Sequence, residues 1–344
     1  MKLGIISLGG KSSMSILEES KSFFSQVDNL DIRKTEVEAD SKELNVRYKS
    51  KPLIDYDCIY VRGSFRYSLL QRSITRALNT DVYMPIAPEA FTIGHNKFLT
   101  LLELQRNKVP LPKTYFAATT ESAKKMLEQV HYPIIMKIPS GTQGKGVMFA
   151  ESIASARSML DALEVFNQPY ILQEYIETNA TDIRAIVVGN RVIAAMKRKS
   201  RSDELRANIH AGAKGQPYEL NSDTEQIAIK SAKAIKAEIC AIDILDSGNK
   251  PQVIEVNLSP GLAGITKFTK MNVARAIANY LSERTREFKE EKRSTVVKDI
   301  FKEIEIGSRH RDKKEIIASL DIKSGMIKLP KIATDISQFV ADDE

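Results

Sequence analysis

The stretch ICAIDILDSGNKPQVIEVNLSPG, Ile239–Gly261, constrains this chain more than any other. It reads as two apolar strands joined by a tight turn. Yet Asp243, Glu255 and Asn257 stand inside those strands, where a sheet favours β-branched and aromatic residues. Side chains alternate along a strand, so Glu255 and Asn257 share a face. A turn centred near Asn249 sets Asp243 opposite Glu255, within a residue. Two carboxylates in a mostly apolar hairpin repel each other and lose solvation. A divalent cation removes both problems, and all-oxygen ligation by few residues suits Mg²⁺, which keeps waters and bridges to phosphates. The bland alternative is a solvated sheet face. The apolar alternate positions on both runs weigh against it.

A metal hairpin of this kind needs a phosphate partner. SGTQGKG, Ser140–Gly146, offers three glycines, two hydroxyls and Lys145, and glycines let backbone N–H groups turn toward an anion. It is not a P-loop, because no Lys-Ser/Thr pair ends it and a strand follows. Upstream, Lys137 lies on the apolar run PIIMKIP, where a lysine is costly unless it meets an anion or snorkels to water. Lys97 stands at a helix start, where surface placement is the default. Glu174 in QEYIE could offer an acceptor to an adenine edge. Arg206 and Asn208 flank Ala207, and an arginine there could grip phosphate or carboxylate in a bidentate way.

The chain has 344 residues, enough for two or three subdomains, and is 42% apolar and 28% charged, a globular composition. No apolar run reaches the roughly 18–20 residues that span a bilayer. MKLGIISLGG lacks a long apolar core before a cleavage site, so it reads as a first buried strand ending at a glycine turn rather than a signal peptide. Cys58 and Cys240 lie in apolar runs and read as buried thiols, which fits a reducing cytoplasm. The net charge of +7 points to an anionic partner, whether nucleotide, acidic peptide or nucleic acid. Four histidines without HxxxH spacing give a zinc hydrolase or a histidine-based triad little support.

The walk along the chain predicts strands at Leu3–Ser7, Ile32–Val37 and Cys58–Gly63 and a helix at Ser68–Leu78, an alternation that suggests a small parallel sheet. From Pro88 the helix HNKFLTLLELQRNK leads to Pro110 and Pro112. An extended TYFAATT, a helix capped from Thr119 or Thr120, a strand–glycine turn–strand unit, a helix and the strand PYILQEYIE follow. From Thr181 two strands flank Gly189-Asn190, a strong hairpin signal. Ser222 and Glu225 have capping-box spacing at the next helix. A long helix starts at Met271, its charge-dense end at Glu283–Arg293 reads as solvated, and two short strands surround Ser324-Gly325.

Taken together, MKIPSGTQGKGV, LQEYIE, DIRAIVVGNRVIAAMKRK, RANIHAGA, AIDIL and VIEVNLSPGLAGI resemble, in order and spacing, the ATP-grasp superfamily and within it the RimK-like glutamate ligases. The resemblance covers about Pro88 to Leu281. It implies an α/β (α+β) ATP-grasp fold: an N-terminal parallel α/β subdomain at 1–87, a central subdomain at 88–180, a C-terminal subdomain at 181–285, and an extension at 286–344, with ATP clamped between the middle two. It implies that Lys97 and Lys137 contact ATP phosphates under a lid that includes Gly141, Thr142, Gln143, Gly144 and Gly146. Glu174 and Tyr175 would hold adenine and Asp182 ribose. Arg206, Ala207 and Asn208 would lie beside the phosphates, and Asp243, Glu255 and Asn257 would bind one or two Mg²⁺ or Mn²⁺ ions. The implied chemistry is carboxylate–amine ligation through an acyl phosphate, with Arg206 and Lys137 as the catalytic cations.

Asn96 departs from the aspartate that relatives often carry there. Arg62, Arg66 and Arg72 form either a solvated basic face or a dock for an acidic acceptor, and the tail from about Lys289 has no counterpart in short family members. The leading expectation is an ATP-dependent α-L-glutamate ligase acting on a carboxylate of a protein tail or a cofactor. It would work in the cytoplasm as a homo-oligomer without membrane partners. Relatives with this core also act on amino-group carrier proteins, which stays open. The stretch Lys197, Arg198, Lys199 and Arg201 suits an acidic peptide. Ribosome or RNA binding through it is a separate alternative, disfavoured because no aromatics interleave as a stacking platform requires.

Overall fold

The computed structural model describes residues 1–42, 44–138, 146–165, 169–199, 214–248, 250–308, 321–323 and 326–328. Met1–Thr285 form one compact unit and Arg286–Glu344 a second. The first strand, β1 (Lys2–Ser7), buries Leu3, Ile5 and Ile6 completely. Helix α1 (Lys11–Ser20) then carries the chain to β2 (Gln26–Asp31), and β6 (Cys58–Val61) joins on the other side, giving a parallel sheet in the order β2-β1-β6. Parallel neighbours need such crossovers. Between them β3 (Thr35–Ala39), β4 (Leu44–Tyr48) and β5 (Lys51–Pro52) form a separate antiparallel sheet that the sequence reading missed. The expected strand at Ile32–Val37 is split. The Asp31 carboxylate accepts the Arg33 N–H at 3.0 Å, which turns Ile32–Lys34 into a single 3-10 turn.

After α2 (Ser68–Leu78) and α3 (Pro88–Gly94), α4 (Lys97–Arg106) begins behind Asn96, whose side chain accepts the Phe98 and Leu99 N–H groups at 3.0 and 3.1 Å. Aspartate caps a helix in the same way, so the departure at Asn96 conserves the physics. Strands β7 (Thr114–Ala117), β8 (Ile134–Lys137), β9 (Val147–Ala150) and β10 (Tyr170–Glu174) form an antiparallel sheet ordered β7-β10-β8-β9. One face packs Ile134, Met136 and Leu172 with Ala123 and Leu127 of the α5 (Thr120–Met126) segment and Leu160 of α6 (Ile153–Glu164). By alternation the other face carries Thr114, Phe116, Ile135, Lys137, Ile171 and Gln173.

A third sheet, ordered β13-β12-β11-β14-β15, joins β11 (Thr181–Val188), β12 (Arg191–Lys199), β13 (Lys214–Pro217), β14 (Ile239–Asp246) and β15 (Pro251–Asn257), all antiparallel. The turn at Gly189 has φ +63°, and the ring of Tyr280 fills the space of a Cβ there, so only glycine fits. Helix α7 (Ser222–Ile235) is capped by Asn221, whose side chain accepts the Thr224 N–H at 2.8 Å; the expected Ser222–Glu225 box is one residue late. Helices α8 (Ala263–Thr269) and α9 (Val273–Ser308) follow. The second unit contains the hairpin β16 (Asp321–Lys323) and β17 (Met326–Lys328). Cys58 and Cys240 are free and buried, and burial pushes both thiols up to about 12.

Arg62 corrects an expectation. It is neither on a solvated face nor open to an acceptor, being 3% exposed. Its guanidinium donates to Ser13 Oγ at 3.1 Å, Tyr60 Oη at 3.0 Å and the Pro260 carbonyl at 2.8 Å. Beside it the Gly63 N–H donates to Ser259 Oγ at 3.0 Å, and the Leu262 N–H to Ser12 Oγ at 2.8 Å. The loops leaving β1 and β6 are thereby sewn to the loop leaving β15.

Candidate active site

The β14–β15 hairpin has Asp243 directly opposite Glu255, with Asn257 opposite Ala241 on the same face. A bulge between Asp243 and Ile244 produces this alignment. The next strand adds Arg184 opposite Asp243, and the one beyond adds Arg198 opposite Asp182. Arg184 grips Asp243 with two hydrogen bonds, at 2.7 and 2.6 Å, and Arg198 grips Asp182 with two, at 2.6 and 2.5 Å. Arg198 also reaches Asp243 at 3.0 Å. Four charges thus cross three strands as one ladder.

This ladder revises the electrostatic argument from sequence. The charge of Asp243 is offset by two guanidiniums. Burial would push its carboxyl up, but Arg184 and Arg198 outweigh that and hold it well below the usual range. Asp182 goes the other way: burial dominates and raises it, because the one arginine it grips is shared. Arg198 is 4% exposed, so it does not belong to a surface for an acidic peptide. Breaking one member would strand a buried charge, at a cost of roughly 3–5 kcal/mol, so the four act as a unit.

Glu255 is exposed and faces two lysines. Lys97 enters at the first residue of α4, and Phe98 beside it stacks on Phe116 of the four-stranded sheet with ring centroids 4.2 Å apart. That stacking docks the start of α4 onto the face that carries Lys137. Burial lowers the pKa of Lys97, with Glu255 pulling it back up. Burial lowers Lys137 to about 8, against Glu255, which raises it, and Lys97, which lowers it further. Lys97 on α4, Lys137 on β8 and Glu255 on β15 are therefore within electrostatic reach of one another. Surface placement of Lys97, the default from sequence, does not hold.

Glu174 follows Gln173 at the end of β10, so alternation turns its carboxylate away from the Lys137 face. It lies 3.3 Å from His131 Nδ1 and 3.7 Å from Lys113 Nζ. Tyr175 meets Phe149 edge-on at 5.1 Å. Gly146 has φ +75°, and the Ile138 side chain occupies the space of a Cβ there. Gly141, Thr142, Gln143, Gly144, Arg201, Arg206, Ala207 and Asn208 lie outside the described residues.

Among the described residues no group of three His, Cys, Asp or Glu side chains could hold a metal. The expected set has only two carboxylates and an amide, all oxygen donors. Asp243 already accepts from Arg184 twice and Arg198 once, which leaves about one of its four lone-pair sites. Asn257 Oδ1 accepts the Ser259 N–H at 3.0 Å and keeps a second lone pair. This donor set fits a small, largely hydrated cation that takes few protein ligands.

Residues 94–281 match the family model described as the RimK-like ATP-grasp domain. A probable alpha-L-glutamate ligase of Thioalkalivibrio sulfidiphilus (strain HL-EbGR7) is 32% identical over 291 residues, covering 83% of this chain and 97% of the relative. A probable alpha-L-glutamate ligase of Marinomonas sp. (strain MWYL1) is 33% identical over 286 residues, covering 82% and 95%. Among solved structures, the ATP-grasp ligase PsnB complexed with minimal precursor, Mg and ADP aligns with a TM-score of 0.64 at 16% identity, covering 83% of this chain and 97% of that one. D-alanine–D-alanine ligase from Bacillus anthracis complexed with ATP aligns with a TM-score of 0.60 at 15% identity, covering 85% and 99%. At those identities the structures speak to the fold.

Proposed function

The chain belongs to the RimK-like ATP-grasp family, and from that membership we propose that it joins L-glutamate to a carboxylate of a protein tail or cofactor. As an ATP-grasp ligase it forms a C–N bond. The observation that supports the phosphoryl-transfer step is the electrostatic grouping of Lys97 and Lys137 with Glu255, together with a buried ladder that keeps Asp243 ionised. An acceptor carboxylate attacks the γ-phosphoryl group of ATP, giving an acyl phosphate and ADP. The amine of glutamate then displaces phosphate, releasing a proton as the amide forms. Lys97 and Lys137 hold and offset the phosphate oxygens during the first step. Mg²⁺ held by Glu255 and Asn257, with the remaining lone pair of Asp243, would neutralise phosphate charge there. Asp182, expected at the ribose, also accepts from Arg198 and would act through the ladder as well.

We read 1–87, 88–180, 181–285 and 286–344 as the functional divisions; both three-stranded sheets fall in the first, the four-stranded sheet in the second and the five-stranded sheet in the third. Among the described residues no helix is long and apolar enough to cross a membrane. The test supplies ATP, Mg²⁺, labelled glutamate and a desalted lysate of the host. Label in a protein band is the expected result, and mass spectrometry then names the acceptor. Label confined to small molecules would point to a cofactor or metabolite. ADP formation without label in either fraction would remove glutamate as the donor.

A further inference from the structure

Behind Lys137 runs a chain of hydrogen bonds across the four-stranded sheet. Lys137 Nζ donates to Gln173 Oε1 at 2.6 Å, Gln173 Nε2 donates to Thr114 Oγ1 at 2.8 Å, and Thr114 Oγ1 donates to the Pro112 carbonyl at 2.8 Å. Its direction is set at the far end. A carbonyl only accepts, so the single hydroxyl proton of Thr114 is committed to Pro112. Thr114 then has only lone pairs left for Gln173, and these take the amide nitrogen. The amide oxygen is left facing Lys137. Gln173 is 3% exposed, so a flipped amide would set N–H donors against an ammonium with no water to relieve them.

What the ammonium faces explains why such a chain matters. Its electrostatic neighbours are the carboxylate Glu255 and the cation Lys97. A loose lysine would swing toward the carboxylate, and the pair would cancel the charge that a phosphate needs. A neutral amide holds the ammonium in place without cancelling it. Among the described residues one of the three N–H groups goes to Gln173, and two remain for an anion.

Resting on the ligase reading, we propose that Thr114 and Gln173 are positioning residues for Lys137, a polarised relay that keeps its ammonium aimed at nucleotide phosphate. The test is calorimetry on the full chain with Mg²⁺, comparing ADP with adenosine, which lacks phosphate. Thr114→Val keeps size and removes the hydroxyl, and it should weaken ADP roughly tenfold while leaving adenosine unchanged. Thr114→Ser restores the hydroxyl and should restore ADP binding. Gln173→Glu should also weaken ADP, because a carboxylate would neutralise the lysine. Unchanged ADP affinity in Thr114→Val would overturn the relay. Equal losses for ADP and adenosine would do so too, since they would mark a packing defect. Failure of the parent chain to bind ADP would instead overturn the ligase reading on which the relay rests.

Discussion

Lys137 carries two opposed demands, burial on an apolar strand and a charge beside Glu255 and Lys97. Burial is the larger, and it brings the pKa down to about 8 from the ordinary lysine range. In the folded chain the ammonium is therefore lost as pH rises through about 8, while an unfolded lysine keeps its proton up to about 10.4. Across that window folding stability rises with pH, because the unfolded state binds the extra proton, and phosphate affinity falls. We expect kcat/KM for ATP to show an alkaline limb near 8, and Lys137→Arg, whose charge persists, to push that limb beyond the accessible range. A limb that stays in place in Lys137→Arg would assign it to another group. Sequence showed that this lysine was costly, but its neighbours Gln173 and Thr114 carry no signal in one dimension. They matter only through a pairing of distant strands.

At the scale of elements, the hairpins were legible and their registers only partly so. From the Gly189-Asn190 turn, plain pairing continues Val188–Arg191 and Val187–Val192 down to Asp182 opposite Lys197. A bulge between Ile186 and Val187 shifts the partner to Arg198 and brings a buried guanidinium onto the charged face. In the other hairpin the bulge after Asp243 replaces Ile254 by Glu255 as the opposing residue. One extra residue flips every side chain beyond it, so the ladder depends on two bulges that composition does not announce. Centring the second turn at Asn249 absorbed its bulge, which is why Glu255 was found and Arg184 and Arg198 were not. Helix starts show the same limit of one residue. For α7 we expect Asn221→Ala to cost about 1 kcal/mol in chemical denaturation and Ser222→Ala to cost only a few tenths. The reverse order would restore the serine cap.

For the Met1–Thr285 unit, the seam at Arg62 ties the N-terminal sheet to the loop leaving β15. Arg62 makes three hydrogen bonds from a buried position, and Pro260, Ser13 and Tyr60 lose their partner together if it is removed. Arg62→Met should lower stability on the order of 3 kcal/mol and make the chain cleavable near Gly63 by dilute protease. Unchanged protease resistance would mean that packing alone holds the seam. The clasp also sets an order of events during synthesis. Arg62 and Pro260 are 198 residues apart in the chain, a stretch that a ribosome takes roughly 10–40 s to make at about 5–20 residues per second. Until then a finished parallel sheet waits with a buried-type guanidinium still in water, and the newborn chain has a half-built molecule whose last stitch is among the last residues of the family core to emerge.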